Sequence, residues 1–455
     1  MSKQHSLKFW IIFWSVAIVF LAGFYFFLEA RKQPGKIISE AINFLPIELS
    51  QKTEYKSIAY FADYILKQDE KEKTFLILFQ NNMELRPGGG FIGAFGILKV
   101  KNGKVIEFQS HDLSNFDGRI KEIIAPPYPM GETLRINAWG MRDSNFSPDF
   151  SENAKKAEYF YRLGQGQENF DGIVAVNTDV LNSFLKVTGP VTLPNYLGEF
   201  NSENAVLNLE YQVEKGYVEQ GIEKGERKTI MNELADVLME KVFTLNNSQK
   251  FDLAKIILED LNNKNIQLYF KDQDLENQAK NSFWAGEINS TWKGDYLMMI
   301  DANLASYKSD YYIDRSFDYV VDLSGEKPTA NLKITYTHRG KAQDWMTKDY
   351  QTYLRVYAPK DAWLENSNGT GKIKFDKEFN KQYFGTLFTV PLNQTKTVEF
   401  NYTLKDLNIN NYDLLIQKQS GISNLPGKIT VISKNGERKS YDVRVENEWE
   451  LGKEK

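Results

Sequence analysis

Cysteine is absent from this 455-residue chain, and histidine occurs only three times, as His5, His111 and His338. The first absence excludes disulfides, thiolate metal sites and cysteine nucleophiles. The second leaves one imidazole near the N-terminus and two far apart in the rest. Neither a two-histidine metal site nor a Ser-His-Asp triad has a motif around them. A basic field is also missing: 56 Lys and Arg stand against 60 Asp and Glu, a net charge of −4. No nucleic-acid partner is expected from that balance. What remains for chemistry is carboxylates, arginines, amides and aromatics. Aromatics make up 14% of the chain, as a β-rich fold requires. At 42% hydrophobic and 25% charged residues the chain can bury ordinary cores, and its length predicts two or three of them.

One apolar run is long. Phe9 to Leu28 holds twenty residues without a charge, with Trp10, Trp14 and Tyr25 near its ends. At about 1.5 Å per residue it spans about 30 Å, the thickness of a bilayer core. A cleaved signal peptide would have a shorter apolar core and a small-residue cleavage site; here Glu29-Ala30-Arg31-Lys32 follows. The reading is an uncleaved N-terminal transmembrane helix over 9–28 after a cytoplasmic tail, 1–8. Lys3 and Lys8 flank one end and Arg31, Lys32 and Lys36 the other, so charge alone does not orient it.

Residues 29–70 read as a stalk and first helix, with Ile58, Phe61, Ala62, Ile65 and Leu66 at helical spacing. Thr74–Phe79 is a continuous apolar run, the mark of a strand buried on both faces. Asn102-Gly103 between two β-prone runs predicts a hairpin. Residues 112–150 are rich in Pro, Gly, Asn and Asp and read as one irregular stretch. Asp149 or Ser151 caps a helix ending at Gly164. Phe170–Asn177 is a second buried strand, Thr178–Val187 a short helix, and 201–283 is dominated by helical patterns. This order predicts an α/β domain over 71–312, a mixed sheet flanked by helices. From Arg315 onward, eight short alternating runs separated by turn residues predict an all-β sandwich over 313–446, followed by a frayed tail, 447–455.

Four segments carry polar groups dense enough for a site. Gln80–Gly93 contains Arg86 and the run Gly88-Gly89-Gly90 between two strands. It is either an anion cradle or a tight turn with Arg86 paired to an acid. No Lys-Ser/Thr follows, so it is not a phosphate-binding P-loop. Arg142-Asp143-Ser144-Asn145-Phe146-Ser147-Pro148-Asp149 precedes a helix start; Asp143 and Asp149 offer hard oxygens for Mg²⁺, or Asp149 caps the helix and Asp143 pairs with Arg142. His111-Asp112 ends a hairpin strand and reads more plainly as surface. Arg119 and Arg135 lie in the irregular stretch and are candidates to join Arg86 around an anion. Asn303–Tyr312 reads as an interdomain seam, with Lys308 able to face the site.

Together these segments resemble a bacterial family of unknown function, domain-of-unknown-function family 4012. The shared pieces are N-x-E-L-R-P-x-G-G-F-I-G at Asn82–Gly93, R-D-[AS]-N-[FW]-S-P-D at Arg142–Asp149, the strand Phe170–Asn177 leading to Thr188-Gly189-Pro190-Val191, N-L-x-x-x-K-S-D at Asn303–Asp310, and Tyr412–Gly421. That resemblance implies architecture without a known activity. A weaker one is to the LytR-CpsA-Psr phosphotransferases, carried by Arg135-Ile136-Asn137-Ala138 and by Asp171–Asn177 through Leu185 to Val191. It implies a single-pass protein of the cell membrane with extracytoplasmic domains, moving lipid-pyrophosphate-linked glycans to the cell wall. The arginine of that family's strand end is missing beside His111-Asp112. Arg86, Arg119 and Arg142 would take the phosphates in its place, and Asp143 and Asp149 the Mg²⁺. Two functions are therefore expected: an envelope protein whose α/β domain binds an envelope polysaccharide, a lipid-linked glycan or a protein, or a phosphotransferase with Arg142, Asp143 and Asp149 as catalytic residues and Arg86, Gly88, Gly89, Gly90, Arg119 and Arg135 binding the ligand.

Overall fold

The computed structural model describes residue 42 and residues 48–452, except 68, 69, 197, 224–226, 228, 406 and 424. The apolar run 9–28 lies outside the described residues. Among those described, no helix is long and apolar enough to cross a membrane.

Helix α1 (Leu49–Leu66) leads into β1 (Lys73–Asn81). Strands β2 (Phe91–Lys101) and β3 (Lys104–Asp112) form the expected hairpin, with Asn102 and Gly103 both at positive φ, 53° and 70°. The irregular stretch holds only the short helices α2 (Leu113–Asp117) and α3 (Met130–Leu134) and a 3-10 turn, Met141–Asp143. Then come α4 (Phe150–Leu163), β4 (Gly172–Asn177) and α5 (Asp179–Thr188). A two-stranded ribbon, β5 (Val191–Thr192) and β6 (Glu199–Phe200), precedes α6 (Ala205–Tyr211), a π-helical turn, α7 (Tyr217–Glu219), α8 (Thr229–Thr244) and α9 (Asn247–Asn262). β7 (Ile266–Phe270) and α10 (Gln273–Asn281) complete the α/β part.

Its sheet runs β3-β2-β1-β4-β7, with β1 and β4 parallel and the other neighbours antiparallel. Because strand side chains alternate, Leu76 and Leu78 face α4, packing with Phe150, Ala154 and Phe160. Phe75 and Ile77 face the other way, onto Phe61 of α1 and Leu275 of α10. Both faces are covered, which is why β1 reads as an unbroken apolar run. A satellite core beyond β4 joins α5, α6 and α8 through Leu185, Ala205 and Leu234.

The rest is all β. β8 (Asp295–Asn303), β9 (Ile313–Asp322), β10 (Thr329–His338), β11 (Tyr350–Pro359), β12 (Trp363–Asn368), β13 (Ile373–Glu378), β14 (Lys381–Val390), β15 (Thr395–Thr403), β16 (Leu414–Gln417), β17 (Leu425–Ile432), β18 (Arg438–Val445) and β19 (Glu448–Glu450) form two six-stranded sheets. Their orders are β12-β15-β10-β9-β17-β18 and β13-β14-β11-β8-β16-β19. One core lies between them, drawing Phe317, Leu332 and Phe400 from the first sheet and Leu297, Leu354 and Phe384 from the second. The outer face of the second sheet receives the α/β part: Met130 and Phe146 pack on Ala302, Leu304 and Tyr353.

All eight expected strands after residue 313 are present. The short strands β5, β6, β12, β13 and β19 were not expected, and β7 and β8 were hidden for physical reasons. β7 lies inside the stretch read as helical, because five residues at a sheet edge leave almost no periodicity to read. β8 lies upstream of residue 313 yet pairs with β11 and β16 in the middle of the second sheet. All nine of its residues are buried, including two aspartates that disguise it as a loop.

One of those aspartates sets a pH response. Asp295 is fully buried and accepts hydrogen bonds from the Tyr319 and Tyr412 hydroxyls, at 2.8 and 2.6 Å, and from the Tyr296 amide. Burial pushes its carboxyl up to about 6 from an ordinary 3.8. The folded state thus favours the protonated form. The associated stability, up to about 3 kcal/mol, is fully present below about pH 4 and is lost as pH rises through 6. Asp295→Asn, neutral throughout, is expected to flatten the fall in melting temperature between pH 4 and 7. Equal slopes for variant and wild type would refute this account.

Candidate functional site

The triple-glycine loop and the arginine-aspartate segment do fold together. The Gly88 amide donates to the Asn145 carbonyl at 2.9 Å, and Asn145 Nδ2 donates to the Gly90 carbonyl at 2.6 Å. Between them, Arg86 Nε donates to Asp143 Oδ1 at 2.8 Å, Nη2 to Glu84 Oε1 at 3.0 Å and Nη1 to the Asn303 carbonyl at 2.9 Å. Arg86 is only 1% exposed and Asp143 only 4%. Burial works against the guanidinium charge, but Asp143 and Glu84 outweigh it and hold Arg86 protonated.

The glycines make room for chain rather than for phosphate. Gly89 has φ +133°, and a Cβ there would strike Gln80, Asn177 and Ser420. A Cβ on Gly421 would strike the Gly89 carbonyl. Gln419 Nε2 donates to the carbonyls of Arg86, at 2.9 Å, and Asp301, at 2.8 Å. The seam residue Asp310 accepts from the Leu85 amide at 2.9 Å and from Asn303 Nδ2 at 2.7 Å. The cradle around Gly88, Gly89 and Gly90 is occupied by the protein itself, and the motif segments form the joint between the two parts of the fold.

The remaining candidates disperse. Asp149 caps α4: Oδ1 accepts from the amides of Ser151 and Glu152, and Oδ2 from the Ile288 amide at 3.1 Å. Both oxygens are therefore engaged by chain donors. Asp143 Oδ1, the other expected Mg²⁺ ligand, accepts from Arg86, and among the described residues no group of three His, Asp or Glu is arranged to hold a metal ion. Arg142 Nε pairs with Asp117 Oδ2 at 2.8 Å. Arg119 is exposed over the Phe116 ring, and Arg135 is exposed at the left-handed C-cap of α3. His111 is half-buried and stacked on Phe95 at 4.8 Å; burial, with help from Arg119, lowers its pKa.

A cleft opens elsewhere, at the carboxyl ends of the parallel strands β1 and β4. Ligands of open α/β sheets bind at such strand ends. Asn82, just past β1, donates to Asp179 Oδ2 and to the Gly421 carbonyl, both at 3.1 Å, and Thr178 donates to Asn82 Oδ1. The groove beside them measures about 550 Å³, within the usual range of about 300–1,000 Å³ for ligand pockets. Asn82, Asp179, Asn182 and Glu203 line one side; Asp310, Tyr311, Asp314 and Arg315 line the other. Among the described residues that line it, the cation is Arg315, which is bonded to Asp301 and Asp310. Burial raises the Asp179 carboxyl, and the Asn82 hydrogen bond partly offsets this. Asp179, Asn182 and Ser423 are shared with an adjoining hollow of about 330 Å³. The surface is thus rich in carboxylates and amides, the reverse of the positive hollow expected for a pyrophosphate. Sequence reasoning missed it, although the strand-end rule applied to Asn81 and Asn177 would have pointed to Asn82 and Asp179.

Residues 70–213 match the family model described as protein of unknown function (DUF4012), the family that the motifs resemble. No curated protein matches the chain. Three solved structures bear a slight likeness. TagV of B. subtilis is 13% identical, with 48% of this chain and 81% of that one covered and a TM-score of 0.30. Lin1025 of Listeria innocua is 12% identical, with 48% and 80% covered and a TM-score of 0.27. A Legionella pneumophila protein described as a candidate nutrient binding protein is 11% identical, with 30% and 54% covered and a TM-score of 0.22, so this chain spans about half its length. Likenesses at this level carry no argument here.

The joint predicts its own energetics. Arg86→Met strands Asp143 in a dry site and is expected to cost about 3–5 kcal/mol in urea unfolding of the full chain. Arg86→Met/Asp143→Leu is expected to recover most of that loss. Additive losses would show that the pair is not the unit.

Proposed function

We propose that this protein is a membrane-anchored component of the cell envelope that binds an envelope glycan in the groove at the ends of β1 and β4. The observation that carries the reading is the groove's chemistry. Asn82, Asp179 and Asn182 present amides and carboxylates, which match the donors and acceptors of sugar hydroxyls. Tyr311, 41% exposed and edge-to-face with Tyr312 at 5.1 Å, lines the groove and adds an aromatic surface of the kind that contacts sugars. The anchor is the apolar run 9–28, and the extracytoplasmic side follows from the resemblance described above.

The alternative, transfer of a polyprenyl-pyrophosphate-linked glycan to the cell wall, needs cations free to meet phosphate. Arg86 is committed to Asp143 and Glu84, and Arg142 to Asp117. That commitment supports binding over transfer.

The full chain in detergent is expected to bind a tetramer of N-acetylglucosamine by calorimetry, and Asp179→Asn to weaken binding at least tenfold. With Mg²⁺ and a polyprenyl pyrophosphate it is expected to release no phosphate. Phosphate release that disappears in Arg142→Ala would replace this reading with the transferase.

A further inference from the structure

Asp260, near the C-terminal end of α9, is 4% exposed. Its Oδ1 accepts from Asn265 Nδ2 at 2.9 Å and from Ser183 Oγ at 3.2 Å. Its Oδ2 is buried with no donor. A buried carboxylate oxygen without a donor is costly, and native folds rarely leave one. Asp260 lines the 330 Å³ hollow together with Asn182, whose buried Oδ1 also lacks a donor. Asp179 and Glu259 line it too, so its wall offers acceptors and negative charge. Lys186 also lines the hollow, but exposed to solvent and without supplying Asp260 Oδ2 with a hydrogen bond.

The missing partner must bring several donors and a positive charge. A sugar hydroxyl brings one donor and no charge. A primary ammonium brings three donors and one charge on a single atom. We propose that this hollow is a subsite for a primary ammonium group, carried by an amino sugar of the glycan lying in the adjoining groove. Asp179 and Asn182 belong to both cavities, so the hollow adjoins the groove and one glycan could reach both. The sugar part rests on the glycan reading; the ammonium part stands on Asp260 and Asn182 alone. Burial raises the carboxyls of both Asp179 and Asp260, and an arriving ammonium would draw them back toward ionisation.

The test uses the full chain in detergent with two tetramers, one of glucosamine with free amines and one of N-acetylglucosamine, and separately methylammonium chloride against sodium chloride at equal ionic strength. The wild type is expected to bind the free-amine tetramer at least tenfold more tightly. Asp260→Asn is expected to bring the ratio within twofold, and Asn182→Ala to reduce it at least threefold should Asp260→Asn fold poorly. Glu437→Gln, the same charge change on the remote face of the sandwich, is expected to keep the preference. Methylammonium is expected to raise the melting temperature of the wild type but not of Asp260→Asn. Equal affinities in the wild type, a preference surviving Asp260→Asn, or no protection by methylammonium would each overturn the subsite. Protection by methylammonium with neither tetramer bound would keep the subsite and remove the glycan reading.

Discussion

A guanidinium withdrawn from water holds this molecule together. Isolated, the buried Arg86 charge would be prohibitive. It is tolerated because Asp143, Glu84 and the Asn303 carbonyl converge on its three nitrogens, and each comes from a different stretch of chain. Meeting that requirement fixes the β1–β2 loop, the segment before α4 and the end of β8 at one point. Gln419 then fastens the backbone of Arg86 to that of Asp301. The cleft is a by-product of this geometry. Asn82 and Asp179 of the α/β part line it together with Asp310 and Arg315 because the joint brings the two parts side by side.

Much of the fold was legible because its signals are local. The apolar run of β1, the Asn102-Gly103 turn and the Asp149 cap each specify their element within a few residues. β8 was not legible: its buried Asp295 and Asp301 are satisfied by Tyr319 and Arg315 of β9, Tyr336 of β10 and Tyr412 just before β16. The site failed for a related reason. An arginine suited to phosphate and an arginine suited to a buried carboxylate look alike in sequence. The pairing of Arg86 with Asp143, 57 residues away, is a property of the folded chain. Asp179, Asn182 and Asp260 carry no motif, and become conspicuous only when β1 and β4 lie side by side.

The segments that carry the family resemblance are thus largely those that build the joint, with Asn82 and Asp310 also lining the groove, while Asp179 and Asn182 of the groove and Asp260 of the hollow fall between them. Likeness in such motifs speaks for a shared scaffold, and function must be argued from the cavity. Here that cavity is acidic and amide-lined.

The late strands β16 and β17 lie parallel to β8 and β9, and between them Gly421 meets Gly89. Contacts spanning more than three hundred residues cannot form until nearly the whole polypeptide has left the ribosome. During synthesis the α/β half emerges first, with the Gln419 clasp still missing. Assembly is therefore completed from the far end, and a product shortened before residue 414 would keep its early secondary structure and never close its cleft.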